Sequence, residues 1–194
     1  AMGGWQGVLG VHTESSRFSA IGDEAFAPFS RTRSQALFVH EELRTTWGQL
    51  NAGARWETVR VESLGNPELE RFNEGIGTQK FSPFSVATGA VFKLSPAWRM
   101  TGNAAMTQRA PKDYELFANG PHLATHAWEI GNKALGLEKS NSLDTGLEWR
   151  SGPNSLNVTA FLSQFANYIG LMNSPDTRDD LPVQRYQGVK AQFQ

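Results

Sequence analysis

The feature that most constrains this chain is an apolar/polar period of two, which recurs in about eight segments of its 194 residues. Side chains alternate across a strand, so each such segment reads as a strand with one apolar and one polar face. Trp98, Met100, Gly102, Ala104 and Met106 oppose Arg99, Thr101, Asn103, Thr107 and Arg109. Phe84, Val86, Thr88, Ala90, Phe92 and Leu94 oppose Ser85, Ala87, Gly89 and Lys93. Leu50 to Trp56, Leu143 to Trp149 and Leu156 to Leu162 repeat the pattern, and weaker versions run over Trp5–Thr13, Ser34–Leu43 and Arg185–Phe193.

Two further properties narrow the fold. The polar faces carry charges and amides at mid-strand, as a water-filled lumen accepts, and Trp56, Trp98, Trp149 and Tyr168 stand at strand ends, where interfacial girdles place aromatics. A soluble antiparallel sheet with one wet face shows the same alternation. The connections favour the barrel. Short turns at Thr45–Gly48, Ser95–Pro96 and Ser151–Asn154 alternate with long excursions over Ser15–Arg33, Glu62–Pro83, Ala110–Asn141 and Leu171–Gln184. Outer-membrane barrels alternate tight turns with long external loops, whereas compact soluble domains rarely hold several loops beyond about 15 residues. The expected fold is all-β: an antiparallel transmembrane β-barrel, or part of one.

Composition is compatible. No run approaches a membrane-spanning helix, and the mean hydropathy of -0.42 suits strands whose apolar signal is diluted by half. The formal net charge of -1 gives no polyanion signal, so nucleic acid is not an expected partner. Without cysteine there is neither a disulfide framework nor a thiolate metal site. The Ala1–Gly4 start has no signal-peptide pattern, and Val189–Gln194 still reads as strand; the chain is therefore expected to be a fragment.

The stretch from Thr107 to Trp149 carries the pieces RAP, YELFANGPH, EIGN, LGLEKS and LDTGL in that order. Together with Arg17–Pro28, Phe165–Ile169 and Tyr186–Ala191, it resembles TonB-dependent outer-membrane receptors over nearly the whole chain. Lys190 departs from the family pattern, which often has an acidic residue there. The resemblance implies a barrel of about 22 strands, an N-terminal plug and a short box that engages TonB. Residues 1–194 are expected to supply part of that barrel domain, about eight strands, without the plug and the final strands. It further implies a bacterial outer-membrane location and the import of a scarce nutrient, a metal ion, haem or metal chelate, with energy from the TonB complex. The partners expected are TonB, the cargo and outer-membrane lipid, with no resident cofactor.

His122 and His126 lie four apart, with Glu129 three further on. On a helix opened by Gly120–Pro121 such a set can hold one metal ion, and these three are the candidate cargo contacts. A histidine can equally ligate haem iron. The competing reading is a loop whose polar groups satisfy one another. Asp113, Glu115 and Glu138 could add oxygen ligands or only solubilise the loop. His12 and His40 read as lumen-lining, and Glu41, Glu42, Arg55, Glu57, Arg99, Arg109, Glu148 and Arg150 as ion-pairing residues of the lumen.

No nucleophile elbow, Walker loop or dinucleotide fingerprint is present, so no enzyme is expected. Two other readings compete: a small closed eight-stranded barrel with a structural or adhesive role, and a soluble β-sandwich binding protein.

Overall fold

The computed structural model describes residues 4–194; residues 1–3, which belong to the stretch read above for a leader, lie outside them. The strands are β1 (Gln6–Phe18), β2 (Phe29–Arg44), β3 (Gly48–Gly65), β4 (Gly77–Phe81), β5 (Phe84–Lys93), β6 (Trp98–Arg109), β7 (Asn119–His122), β8 (Ala127–Ile130), β9 (Glu138–Ser151), β10 (Asn154–Arg178) and β11 (Leu181–Phe193). All belong to one sheet in the order β1-β2-β3-β5-β6-β9-β10-β11-β8-β7, with β4 continuing β5 beside the upper part of β3. Every long neighbour pair is antiparallel. All eight alternating segments are strands. A single sheet excludes the sandwich. Among the described residues β1 does not pair with β11, so the closed eight-stranded barrel is not formed either.

The register lines one face up across the sheet. Val39–Ala54–Val86–Met106 and Leu43–Leu50–Ala90–Gly102–Thr145–Ala160 are directly opposed residues of neighbouring strands. This outer face is bare: Leu9 is 71% and Val11 73% exposed. Exposed apolar area of this extent is the mark of a surface that meets something other than water. Aromatics bound it. Trp47 stacks on Phe92 at 5.1 Å and Trp98 meets Trp149 at 6.4 Å near the tight turns. Trp56 opposes Phe84 at the other rim and donates its indole N–H to Ser82 Oγ, 3.0 Å away. The eight residues between rims rise about 20 Å at the tilt of barrel strands, close to the roughly 25 Å apolar band of such barrels.

The opposite, inner face is polar over the same height. Glu42, Asn51, Gly89, Asn103 and Asp144 lie in one row, with Asn103 Nδ2 donating to Asp144 Oδ2 at 2.6 Å. The expected ion pairs form mainly between alternate residues of one strand: Arg44 with Glu42, Arg55 with Glu57 and Arg150 with Glu148. Arg55 also donates to His12 Nδ1 at 3.2 Å. Glu41 is a correction. Consecutive strand residues take opposite faces, so Glu41 is opposite Ala52 on the outer face while Glu42 faces inward.

The long excursions are shorter than alternation suggested. β10 runs 25 residues without a break, and Leu171–Gln184, expected as a loop, is a hairpin closed by Asp179 and Asp180 at φ 50° and 61°. Two left-handed residues are what a two-residue hairpin turn requires. In the outer part of this hairpin, residues 175–180, both strand faces are exposed, so the period of two fades although the ladder continues.

Candidate functional site

At the end of the sheet opposite the tight turns, the longer connections fold inward over the sheet and form a cap. Its largest component is the connection from β6 to β9. Helix α1 (Asp113–Phe117) sets its base. Glu115 Oε2 accepts the Lys112 backbone N–H at 2.7 Å, capping that helix. The same carboxylate takes both terminal nitrogens of Arg109, at 2.8 and 2.9 Å. Glu138 takes Arg109 Nε and Nη2 from the other side and also accepts the backbone N–H of Ile169 at 2.9 Å. Arg109 is thus forked between two carboxylates, the geometry for which a guanidinium is suited. Asp113 accepts from Ser30 on β2. None of these three acids simply solubilises the loop.

Below α1 lies the apolar core of the cap: Leu116, Phe117, Ala118 and Leu135 from the loop, Val61 from β3, Ile169 from β10 and Tyr186 from β11. Fully burying one leucine or phenylalanine contributes about 1.5–3 kcal/mol, so this cluster offsets part of the ordering entropy of so long a loop, and the hydrogen bonds around it add to that. The chain then turns back at Gly131, whose N–H donates to Ala118 O at 2.7 Å, while Asn132 N–H donates to Glu115 O at 2.8 Å. A Cβ on Gly131 would stand 2.5 Å from Phe117 N, so this close approach requires glycine.

The candidate residues sit on the hairpin of β7 and β8. No helix forms over Gly120–Pro121; Pro121 is opposite Trp128 in a strand pair, and His126 ends the turn at φ 49°. A four-residue spacing that meets on a helix therefore parts here. His126 is exposed at the tip. His122 and Glu129 come together: His122 Nδ1 is 2.7 Å from Glu129 Oε1, and the His122 ring stacks on Phe26 at 4.1 Å. Glu129 is 1% exposed and fully engaged, since Thr125 Oγ1 donates to Oε1 at 2.9 Å and the Tyr186 hydroxyl to Oε2 at 2.9 Å. Burial, and then this bond to a carboxylate, push the Tyr186 phenol well above its usual range. Among the described residues no three His, Cys, Asp or Glu side chains converge as a metal cluster.

Residues that sequence reasoning did not single out complete the arrangement. β8 pairs in parallel with β11 on the side away from β10, Trp128 opposite Val183 and Ile130 opposite Arg185. On the far side of the hairpin Asn119 N–H donates to Phe26 O at 2.8 Å, so the hairpin bridges β11 to the β1–β2 loop. Trp128 receives the Arg178 guanidinium 4.2 Å above its ring and donates its own N–H to Asn119 Oδ1. Arg71, from the short helical turn Glu70–Gly75, donates to Asp23 O and Ala25 O and so ties the third loop in. Tyr186 on β11, Trp128 on β8, Arg71 on the Glu70–Gly75 turn and Arg178 on β10 come from four separate elements, and no local pattern joins them.

Two solved structures resemble this fold. A copper transporter, OprC, superposes with a TM-score of 0.75 at 16% identity, covering 97% of this chain and 30% of its own length. The hemophore receptor HasR of Serratia marcescens, solved as a double mutant with its hemophore HasA and heme, gives 0.67 at 14% identity, with coverage of 97% and 38%. The chain thus spans about a third of either neighbour. At these identities the likeness establishes the fold. A family model described as TonB dependent receptor-like, beta-barrel matches residues 3–193, and the chain belongs to that family.

Proposed function

We propose that this chain is the wall and part of the external cap of a bacterial outer-membrane receptor that imports a scarce nutrient, a metal ion, haem or metal chelate, with energy delivered by TonB. The observation that carries the reading is the family match across the whole described sheet, joined to an apolar outer band of membrane height and a polar inner face. In this reading residues 1–194 are one portion of a longer barrel domain, and the box that meets TonB and the plug belong to other parts of the receptor. The copper and heme cargoes of the two neighbours favour metal-containing cargo. The protein acts as a transport receptor and not as an enzyme.

Within the cap we assign cargo contact to the β6–β9 loop. His126 is its freest metal-binding side chain, exposed on the hairpin tip. His122 and Glu129 already bind each other, so they support the tip and reach a cargo only if Thr125 and Tyr186 release the carboxylate.

The test is calorimetric titration of zinc, haem and a ferric chelate into the full-length receptor in detergent, with His126→Ala and His122→Ala variants. Saturable binding of one class, weakened by His126→Ala, supports this assignment. Binding indifferent to both variants moves the contact to another loop, and binding of none of the three removes metal cargo from the reading.

A further inference from the structure

The outer wall is not uniform above its apolar band. Along β2 the outer-face residues after Leu37 are Gln35, Arg33 and Arg31; along β3 those after Trp56 are Thr58, Arg60 and Glu62. The register sets Ser15, Arg33, Arg60 and Lys80 side by side across β1, β2, β3 and β4. One level higher Arg17 is opposite Arg31, which is in turn opposite Glu62. Five cations therefore share this patch with one carboxylate, Glu62, which is held by Arg60 at 2.6 Å. Arg17, Arg33, Arg60 and Lys80 are exposed, and Arg31 Nε has no hydrogen-bond partner. A shallow groove of about 610 Å³ runs between Arg33, Arg60, Lys80, Gln35 and Thr58.

Like charges directly opposed across strands are unfavourable unless something anionic lies over them. Height says what that is. Arg60 is four residues past Trp56, a rise of about 10 Å at barrel tilt, which carries it just beyond the hydrocarbon edge and into the headgroup layer. Where β6 and β9 leave the apolar band, in the row of Trp56 and Phe84, the outer face holds Gln108 and Lys139, so the basic residues concentrate in the β1–β4 sector of the wall.

We propose that this sector, Arg17, Arg31, Arg33, Arg60 and Lys80, is a binding site for the phosphorylated headgroup of an outer-leaflet lipid. Guanidinium forks match phosphate oxygens in pairs, and the Gln35 and Thr58 side chains beside them supply neutral donors. The lipid's acyl chains then continue down over Leu37, Val39 and Trp56. The site rests on the reading of this chain as a membrane-embedded wall, and it is separate from the cap that selects cargo.

The experiment is native mass spectrometry of the full-length receptor in detergent with diphosphorylated lipid A, its dephosphorylated form, or inorganic phosphate. An Arg33→Gln, Arg60→Gln, Lys80→Gln variant is compared with an Arg33→Lys, Arg60→Lys variant that keeps the charge. Retention of the phosphorylated lipid alone, reduced tenfold or more in the glutamine variant and less in the lysine variant, is the expected result. Equal retention of both lipids, or no change in the glutamine variant while it still migrates as a folded barrel, overturns the site. Displacement of the lipid by millimolar phosphate overturns the lipid as occupant. If the wild-type receptor stays folded and dispersed without any detergent, the membrane reading itself fails and takes this site with it.

Discussion

The Tyr186 hydroxyl donates to Glu129 Oε2 at 2.9 Å across a sequence separation of 57, and this bond locks the β7–β8 hairpin to the inner face of β11. Removing it leaves a buried carboxylate oxygen without a donor. Tyr186→Phe is expected to lower the local opening free energy of the hairpin by about 1–2 kcal/mol. Hydrogen exchange of residues 119–130 in the full receptor measures this; unchanged protection would mean the bond contributes nothing.

The same pair gives a pH dependence. Folding raises the Tyr186 phenol above its unfolded value of about 10, because it is buried beside a carboxylate. Its contribution is therefore complete below about pH 10 and is lost as the pH rises through the folded value. Phenolate absorbance during alkaline titration should show a late step, coincident with loosening of the hairpin, that the Tyr186→Phe variant lacks. A wild-type curve that differs from that of the variant only by one additional ordinary phenol counts against the bond.

Arg109 anchors the base of the cap between Glu115 and Glu138. Arg109→Ala strands both carboxylates, and allowing for partial solvent access the expected cost is about 2 kcal/mol. Arg109→Lys keeps a charge but cannot fork, and should fall between the two. Protease sensitivity of the β6–β9 loop reports the order; a lysine variant equal to wild type would show that charge alone suffices.

Adjacent alanines test the register. Ala104 is opposite Leu143 on the apolar outer face, and Ala105 is opposite Ser142 on the inner face. Ala104→Arg is expected to cost about 2–4 kcal/mol near the bilayer midplane and to impair barrel assembly, whereas Ala105→Arg is tolerated. Heat-modifiable migration of the two receptors distinguishes them, and the reverse ranking would invert the faces assigned to every strand.

The strands were legible because each long one must keep one apolar face for its full height in the membrane, so a period of two persists from Trp98 to Met106 and from Leu143 to Trp149. It failed where both faces meet water, as in the hairpin around Asp179 and Asp180. The motif residues were also visible, but their work was not. Glu115, Gly131, Asn132 and Glu138 looked like a family signature and are the joints of the cap. The His122–His126 spacing suggested a helix because four residues span a helical turn, whereas strand pairing of Pro121 with Trp128 makes the segment a hairpin. Long-range partners such as Tyr186 and Arg178 leave no local periodicity to read.

The bridge from β11 through β8 and β7 to Phe26 sets the timing of folding. Its two anchors, Phe26 and Val183–Arg185, are far apart in sequence, and the hairpin itself comes from between them. No growing segment holds all three pieces until β11 has arrived, so the hairpin docks only after β11 is in place, following a loop closure as wide as the sheet. A mutation in β11 should therefore leave the β6–β9 loop unprotected during insertion, and the loop's protection from protease becomes a clock for the docking of β11.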